Sequence, residues 1–212
     1  MLWAIALVGL VICGAFAYYI YGAMFSPNTK FEDGTEFIYV PTNATYSQVR
    51  SQLEPLLEDI NAFDALAKQK KYTSNIKAGR FAITKGMNNN DIITSIRSKN
   101  LPIKIAFNNQ HQLADLAGRI STQIEADSLS LLEAMTDETF LTKNGFNNAT
   151  ALGMYLPNSY EFFWNTSAET FRDRMLTEYN RFWTASRKAQ AEKLNLTPNE
   201  VITLASIVHE ES

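Results

Sequence analysis

The chain has 212 residues, of which 46% are hydrophobic, enough for one or two domains with a substantial apolar core. Its formal net charge of −3 offers no basic surface for nucleic acid, so nucleic acid is not an expected partner. A single cysteine, Cys13, excludes an intramolecular disulfide, and with His111 and His209 it makes too small a set for the usual Cys/His zinc site. A metal held by carboxylates stays open as an alternative, and we predict no metal and no cofactor.

An uncharged apolar segment opens the chain, the 24 residues from Leu2 to Phe25. A helix of this length can cross a hydrocarbon core of about 30 Å. Its apolar run is longer than that of a cleaved signal peptide, and the tyrosines near its end suit a membrane interface. We therefore predict a transmembrane anchor at residues 1–25, with a cleaved signal peptide and a buried helix as alternatives. Lys30, the first basic residue after the segment, weakly favours placement of the body inside the cell.

The next part of the chain alternates strand and helix patterns. Residues 26–36 are polar, contain Pro, Asn and Gly, and are predicted to be a linker. Then follow a strand (EFIYVP), a helix opened by a Thr45–Gln48 capping box, a second short helix (NAFDALAKQK), a strand (KAGRFAITKG) and a helix (MNNNDIITSIRSKN). This order predicts a small α+β module over residues 37–101.

Residues 102–212 are predicted to be mainly helical after one strand, LPIKIAFNN. Three helical patterns follow, and then FNNATALGMYLPNSYEFFWNTS, which is rich in aromatics and is predicted to be an ordered loop. A long amphipathic helix comes next, with Thr166 and Glu169 as its capping box. The last helix has Thr197 as its cap, Pro198 at its first position and Glu200 three residues after the cap. The fold class expected for the whole chain is α+β.

The last helix carries two adjacent glutamates that are not equivalent. At about 100° per residue, Glu211 falls between Ile207 and Leu204 on the apolar face, and Glu210 falls on the polar side. Burial among apolar groups raises the pKa of a carboxyl, and a carboxyl protonated near neutral pH can act as a general acid. This placement on a helical wheel therefore favours Glu211 over Glu210 as a catalytic candidate. An exposed or capped surface glutamate is the alternative.

A second motif competes for the same helix. His209 and Glu210 match the first two residues of H-E-x-x-H, the zinc-protease signature, whose fifth position would be number 213. A truncated zinc protease is therefore a less favoured hypothesis, in which Glu210 would be the general base.

Three segments resemble the endolytic murein transglycosylases of the YceG-like family. They are KAGRFAITKGMNNNDIITSIRSKN, LPNSYEFFWNTSAETFRDRM and LTPNEVITLASIVHEES, and they occur in the family's order and spacing. The third resembles A-S-I-[IV]-x-x-E-[TS], which implies that Glu211 is the catalytic residue. The second resembles a loop of proline, acid or amide, hydroxyl and tyrosine, which implies substrate-binding roles for Asn158 and Tyr160. Many members have Asp where this chain has Asn158, so a carboxylate is not required there.

The resemblance also implies the organisation and the function. Residues 37–101 would be a LysM-like module, and residues 102–212 the N-terminal part of a transglycosylase domain that is incomplete at its C-terminus. The enzyme would cleave the MurNAc-β-1,4-GlcNAc bond of nascent glycan strands, leave 1,6-anhydroMurNAc ends and terminate elongation. Its expected partners are peptidoglycan strands and the membrane, with peptidoglycan synthases as further candidates. It would span the inner (plasma) membrane once with a periplasmic body, which overrides the weak argument from Lys30. An anchored glycan-binding or scaffold protein is the main alternative.

Overall fold

A computed structural model describes residues 2–211, with their side chains except at positions 2, 4–6, 19, 20, 23, 209 and 210. The chain divides into two compact units, Met1–Pro102 and Ile103–Ser212. The fold is mixed α+β, mostly helical, with small two-stranded sheets. This agrees with the predicted class. The assignments of the parts as a LysM-like module and a catalytic domain stay predictions.

The first unit begins with helix α1, Leu2–Phe25, so the predicted helix is confirmed. Its described large apolar side chains are mostly exposed, for example Trp3, Leu7 and Leu10. Among the described residues, no helix meets the length and apolarity needed for a membrane span, so the predicted transmembrane segment is not found there.

The rest of the first unit follows the predicted order of strands and helices. The elements are β1 (Thr35–Val40), α2 (Tyr46–Leu53), α3 (Ile60–Gln69), β2 (Gly79–Thr84) and α4 (Asn89–Ser98). Strands β1 and β2 are antiparallel, with Ile38 opposite Phe81. The capping box of Thr45 and Gln48 opens α2 as predicted. A core of buried apolar side chains from both strands and from α2, α3 and α4 holds the unit together.

The segment predicted to be a linker is instead fixed to the first unit at residues 27–30. Asn28 is 5% exposed. Its Nδ2 donates to the backbone oxygen of Asp59 (2.9 Å) and to Oδ1 of Asn89 (2.6 Å), and its Oδ1 accepts from the backbone N–H of Asp59 (2.7 Å). Since buried amides keep their place through such bonds, this stretch is part of the folded unit rather than a free tether.

The second unit is built from helices around one small sheet. Its elements are β3 (Pro102–Phe107), α5 (Leu113–Ser121), α6 (Ser128–Met135), α7 (Glu138–Lys143), β4 (Asn158–Phe163), α8 (Ala168–Phe182), α9 (Ala185–Lys193) and α10 (Pro198–Glu210). Strand β3 pairs with β4. Fully buried side chains at the centre of this core include Ile105, Leu116, Ile120 and Phe171.

Two predictions for the second unit were wrong. Residues 158–163 form a strand rather than a loop, with Phe162 buried and its neighbours Glu161 and Phe163 exposed. The long amphipathic helix is two helices, because the chain leaves the helical conformation at Trp183 and Thr184 starts the next one by capping Arg187.

The cap of α8 is also one residue away from the predicted position. Ser167 accepts from the backbone N–H of Thr170 at 3.2 Å. Thr166 is buried, and its hydroxyl donates to the backbone oxygen of Phe163 at 2.6 Å. Thr166 therefore closes the turn after β4 and does not begin the helix.

Candidate functional site

Helix α10, which carries the candidate glutamates, begins as the sequence predicts. The backbone N–H of Thr197 donates to Oε2 of Glu200 (2.7 Å), and the backbone N–H of Glu200 donates to Oγ1 of Thr197 (3.3 Å). Pro198 occupies the first turn. These bonds satisfy two backbone donors that a helix N-terminus otherwise leaves open. The hydrogen bond from the Thr197 backbone also lowers the pKa of the Glu200 carboxyl below its ordinary value.

The first turns of α10 are attached to the core of the second unit. Val201 and Ile202 pack against that core as partly buried side chains. A Cβ on Gly153 would lie 3.2 Å from Cγ2 of Ile202, so a glycine there allows the close approach of the 3-10 turn Ala151–Met154 to α10. The Oδ1 atom of Asn199 accepts from the hydroxyl of Tyr179 at 2.8 Å, and the Nδ2 atom of Asn199 donates to the backbone oxygen of Gly145 at 3.1 Å.

Beyond these turns the apolar face of α10 is exposed. Leu204, Ile207 and Val208 are 52%, 56% and 60% exposed. Glu211 ends the helix, and its backbone N–H donates to the oxygen of Ile207 at 3.2 Å. Its side chain is exposed, so the expectation that apolar neighbours bury this carboxyl was wrong. The neighbours are apolar as the wheel indicates, but they are themselves in contact with solvent.

The other two candidate residues of α10 are His209 and Glu210, and their side chains are not among the described ones. The described residues contain no group of three or more His, Cys, Asp and Glu side chains placed to hold a metal. The zinc-protease hypothesis depends on the two undescribed side chains and stays a prediction.

The main groove of the second unit has a volume of about 780 Å³. Its wall includes α9, the first half of α10, the 3-10 turn at Ala151–Met154 and the segment 108–111 that follows β3. The lining combines apolar rings with polar side chains. Its apolar residues include Phe107, Leu152, Tyr155, Pro157, Phe182, Trp183 and Ile202, and its polar residues include Asn109, Gln110, His111, Arg187 and Gln190.

Two buried polar atoms belong to aromatic residues of this lining. Nε1 of Trp183 and the hydroxyl of Tyr155 have no hydrogen-bond partner among the described residues. Burial raises the pKa of the Tyr155 phenol, which stays protonated at neutral pH. Buried polar groups usually find partners. Both atoms are buried beneath the wall of the main groove, because Tyr155 and Trp183 are only 4% and 5% exposed.

A second groove, of about 510 Å³, adjoins the first. It lies between the end of β3, helix α5 and the start of β4, and its lining residues are Ala106, Phe107, Asn108, Arg119, Pro157, Asn158 and Ser159. Phe107, Asn108 and Pro157 line both grooves, so the two depressions meet along these residues.

The predicted substrate-binding residues occupy different environments. Asn158 is exposed in the second groove, and its Oδ1 accepts from the backbone N–H of Ser159 at 2.8 Å. Tyr160 is half-buried and lines neither groove: its hydroxyl donates to the backbone oxygen of Leu156 at 2.6 Å, and its ring stacks on Phe107 with centroids 5.9 Å apart. Burial, followed by the charge of Glu178, raises the pKa of its phenol.

The structure thus brings Asn158 and Tyr160 to one segment, whereas Glu211 is not among the lining residues of either groove. Arg119 and Trp183 line these grooves and were not predicted from the sequence. Arg119 occurs within an ordinary amphipathic helix, where an arginine is expected on the solvent side. Trp183 is followed by a Thr that could have indicated a new helix start, but Arg187 replaces the usual Glu or Gln of a capping box.

Comparisons with known proteins point to one family. The model of the YceG-like family matches residues 38–212. The crystal structure of a yceG-like protein from Listeria monocytogenes is similar in fold, with a TM-score of 0.50 and 21% sequence identity. The match covers 84% of this chain and 64% of the Listeria chain, so this chain spans less than two thirds of that protein's length. A search of curated proteins found no match.

Proposed function

Because the chain belongs to the YceG-like family, we propose that it is an endolytic lytic transglycosylase of peptidoglycan. It would cleave the β-1,4 bond between N-acetylmuramic acid and N-acetylglucosamine in nascent glycan strands and so terminate their elongation. The observation that carries the proposal is the family match, because it extends over residues 38–212 and includes the glutamate that resembles the family's catalytic residue.

The adjoining grooves, neither of which Glu211 lines, have the extended form that a polymeric substrate needs. A linear glycan needs an extended depression with aromatic surface for the sugar faces and polar groups for their hydroxyl and acetamido groups. The main groove contains the exposed ring of Phe182 and the amides of Asn109 and Gln190, and it meets the second groove. Asn158 would contact the sugar from the second groove.

The role of Tyr160 follows from its hydrogen bond. Since its hydroxyl is bonded to Leu156 and its ring is stacked on Phe107, it holds the turn that presents Pro157 and Asn158. We therefore assign it as a positioning residue for Asn158 rather than as a direct sugar contact.

Glu211 would act first as an acid and then as a base. Its carboxyl gives a proton to the glycosidic oxygen as the bond from that oxygen to C1 of N-acetylmuramic acid breaks, and the N-acetylglucosamine part leaves with a free hydroxyl. The C6 hydroxyl of the muramic ring then closes onto C1, and its proton returns to the Glu211 carboxylate. No water is consumed, so the second carboxylate that hydrolytic glycosidases use is not needed.

The proposed mechanism requires the exposed Glu211 carboxyl to be shielded from water while the glycan is bound, because desolvation favours the protonated form of a carboxyl. The exposed side chains of Leu204, Ile207 and Val208 give an apolar surface beside it. A glycan bound against this surface would exclude water from the carboxyl.

The site of action is proposed from the substrate. Peptidoglycan lies outside the plasma membrane, so the body of the chain would lie on the periplasmic side. The uncharged helix α1, whose described large side chains are mostly exposed, would attach it to the membrane. The LysM-like module, residues 37–101, would bind glycan or orient the catalytic unit, and peptidoglycan synthases are candidate partners.

The experiment that tests the activity is digestion of isolated peptidoglycan followed by mass analysis of the strand ends. Glu211→Gln should reduce the formation of 1,6-anhydro ends by on the order of 10²-fold or more, because glutamine retains the shape but cannot give and recover a proton. Glu210→Gln, the matched control one residue away, should retain most of the activity, and EDTA should have no effect.

Two other results would each identify a different function. An inactive Glu210→Gln together with an active Glu211→Gln and inhibition by EDTA would indicate the zinc protease. Binding of glycan by the wild type without any anhydro ends would indicate the scaffold protein.

A further inference from the structure

The second groove contains an arginine, Arg119, whose side chain has no partner among the described residues. Arg119 lies on α5 and is exposed, and among the described residues its guanidinium forms no ion pair and no hydrogen bond. Asp115, one turn earlier on the same helix, is not within 4.0 Å of it as an ion pair. Of the seven residues that line the groove, Arg119 is the one that carries a charge. The positive charge is therefore available to a ligand.

Two polar groups beside Arg119 are available to donate hydrogen bonds. The Oδ1 atom of Asn158 already accepts from the backbone N–H of Ser159 at 2.8 Å, whereas no described residue bonds to the Nδ2 of Asn158 or to the hydroxyl of Ser159. A guanidinium, an amide N–H₂ and a hydroxyl together suit a group that only accepts hydrogen bonds. A carboxylate is such a group, and its two oxygens match the fork of an arginine.

The position of the groove indicates which molecule carries the carboxylate. The second groove meets the main groove along Phe107, Asn108 and Pro157, so one extended ligand can occupy both. We propose that Arg119, with Asn158 and Ser159, binds a carboxylate on the glycan that lies in the main groove and thereby selects an acidic glycan over a neutral one. This inference rests on the proposed function, in which the glycan is peptidoglycan. Two parts of peptidoglycan carry such a group, the lactyl ether of muramic acid where no peptide is attached and the stem peptide where one is.

Binding of three glycans by the full chain tests the proposal. They are an alternating muramic acid–glucosamine tetrasaccharide with free lactyl groups, the same tetrasaccharide with stem peptides, and chitotetraose, which has no carboxylate. All proteins carry Glu211→Gln so that the ligand is not consumed, and the dissociation constants are measured by calorimetry. Arg119→Gln is compared with Lys143→Gln, which removes one positive charge from α7, outside both grooves.

Arg119→Gln should weaken binding of an acidic glycan about fivefold, the upper end for a solvent-exposed ion pair, and leave chitotetraose binding unchanged. Lys143→Gln should change neither. The preference for the acidic glycan should also decrease as salt is raised, because screening acts on the charge and not on the sugar contacts. If Arg119→Gln weakens binding of the peptide-free tetrasaccharide, the bound carboxylate is that of the lactyl group. If it weakens binding of the peptide-bearing tetrasaccharide alone, the bound carboxylate is that of the stem peptide.

Two results would overturn the proposal, and they separate it from the proposed function. Equal affinity of the Arg119-containing protein for all three glycans, or an equal effect of Arg119→Gln on all three, contradicts the carboxylate site and leaves the transglycosylase proposal standing. Absence of binding to every glycan contradicts both. Unchanged circular dichroism and melting of Arg119→Gln show that its effect is not a loss of fold.

Discussion

Replacing Asn28 by alanine tests whether the segment after α1 is part of the first unit. The substitution removes three hydrogen bonds of 2.6 to 2.9 Å, one to Asn89 and two to the backbone of Asp59. At about 1 kcal/mol net for each bond, the loss is about 3 kcal/mol, with a range of roughly 2–4 kcal/mol. Asn89 is 1% exposed, so water cannot readily replace its lost donor. Asp59 caps the exposed start of α3, where water can replace part of what is lost.

The assay must report on the first unit alone. Two of the three tryptophans, Trp164 and Trp183, lie in the second unit, so their fluorescence during urea unfolding follows that unit. Hydrogen exchange of peptides from β1 and α4, read by mass spectrometry, follows the first. Asn28→Ala should lower the free energy of opening in those peptides by the stated amount and leave the tryptophan transition in place.

Asn61→Ala is the matched control. It removes an asparagine from the first turn of α3 that has an exposed side chain and no side-chain hydrogen bond among the described residues, so its effect should stay within about 0.5 kcal/mol. If Asn28→Ala behaves like Asn61→Ala, the side-chain bonds of Asn28 contribute nothing to the stability of the first unit, and the backbone bonds of residues 28 and 30 would still hold this segment.

Two further predictions concern α10 and α1. The lowered pKa of Glu200 means that its charge stabilises the folded state above its ordinary pKa and stops doing so as the pH falls through the lower folded-state pKa. Glu200→Gln should therefore speed exchange of α10 amides relative to wild type at about pH 7, and the difference should disappear at about pH 2; an unchanged difference would contradict the reasoning. For α1, a periplasmic reporter fused after Lys30 should be active, and activity of a cytoplasmic reporter alone would refute the proposed topology.

The elements that could be predicted from the sequence are those with short-range signals. The capping boxes at Thr45–Gln48 and Thr197–Glu200 place two helix starts to the residue, because both partners of each bond lie within one turn. The Asn88 cap of α4 follows the same logic: its side chain accepts from the backbone N–H of Asp91 at 2.9 Å.

The errors in the second unit come from contacts that are distant in sequence. Strand β4 forms because it pairs with β3, about fifty residues earlier, and the apolar Phe163 next to Phe162 interrupts the alternation from which a strand could be predicted. The break after α8 places Trp183 in the core at 5% exposure. No Gly or Pro lies at this point, so the residues at the break do not carry the strongest signals for the end of a helix.

Helix α10 shows which part of a site a helical wheel can predict. A helical wheel assigns each side chain to one face of the helix. For the first turns of α10 this assignment is correct, because Val201 and Ile202 pack on the core. Burial also requires a second surface over the same face, and no periodicity within the helix encodes that surface. Leu204, Ile207 and Val208 have the predicted orientation and are exposed all the same. The cover over Glu211 therefore cannot be derived from the helix; it has to come from whatever lies over these three side chains, and in the proposed reaction the glycan does so while it is bound.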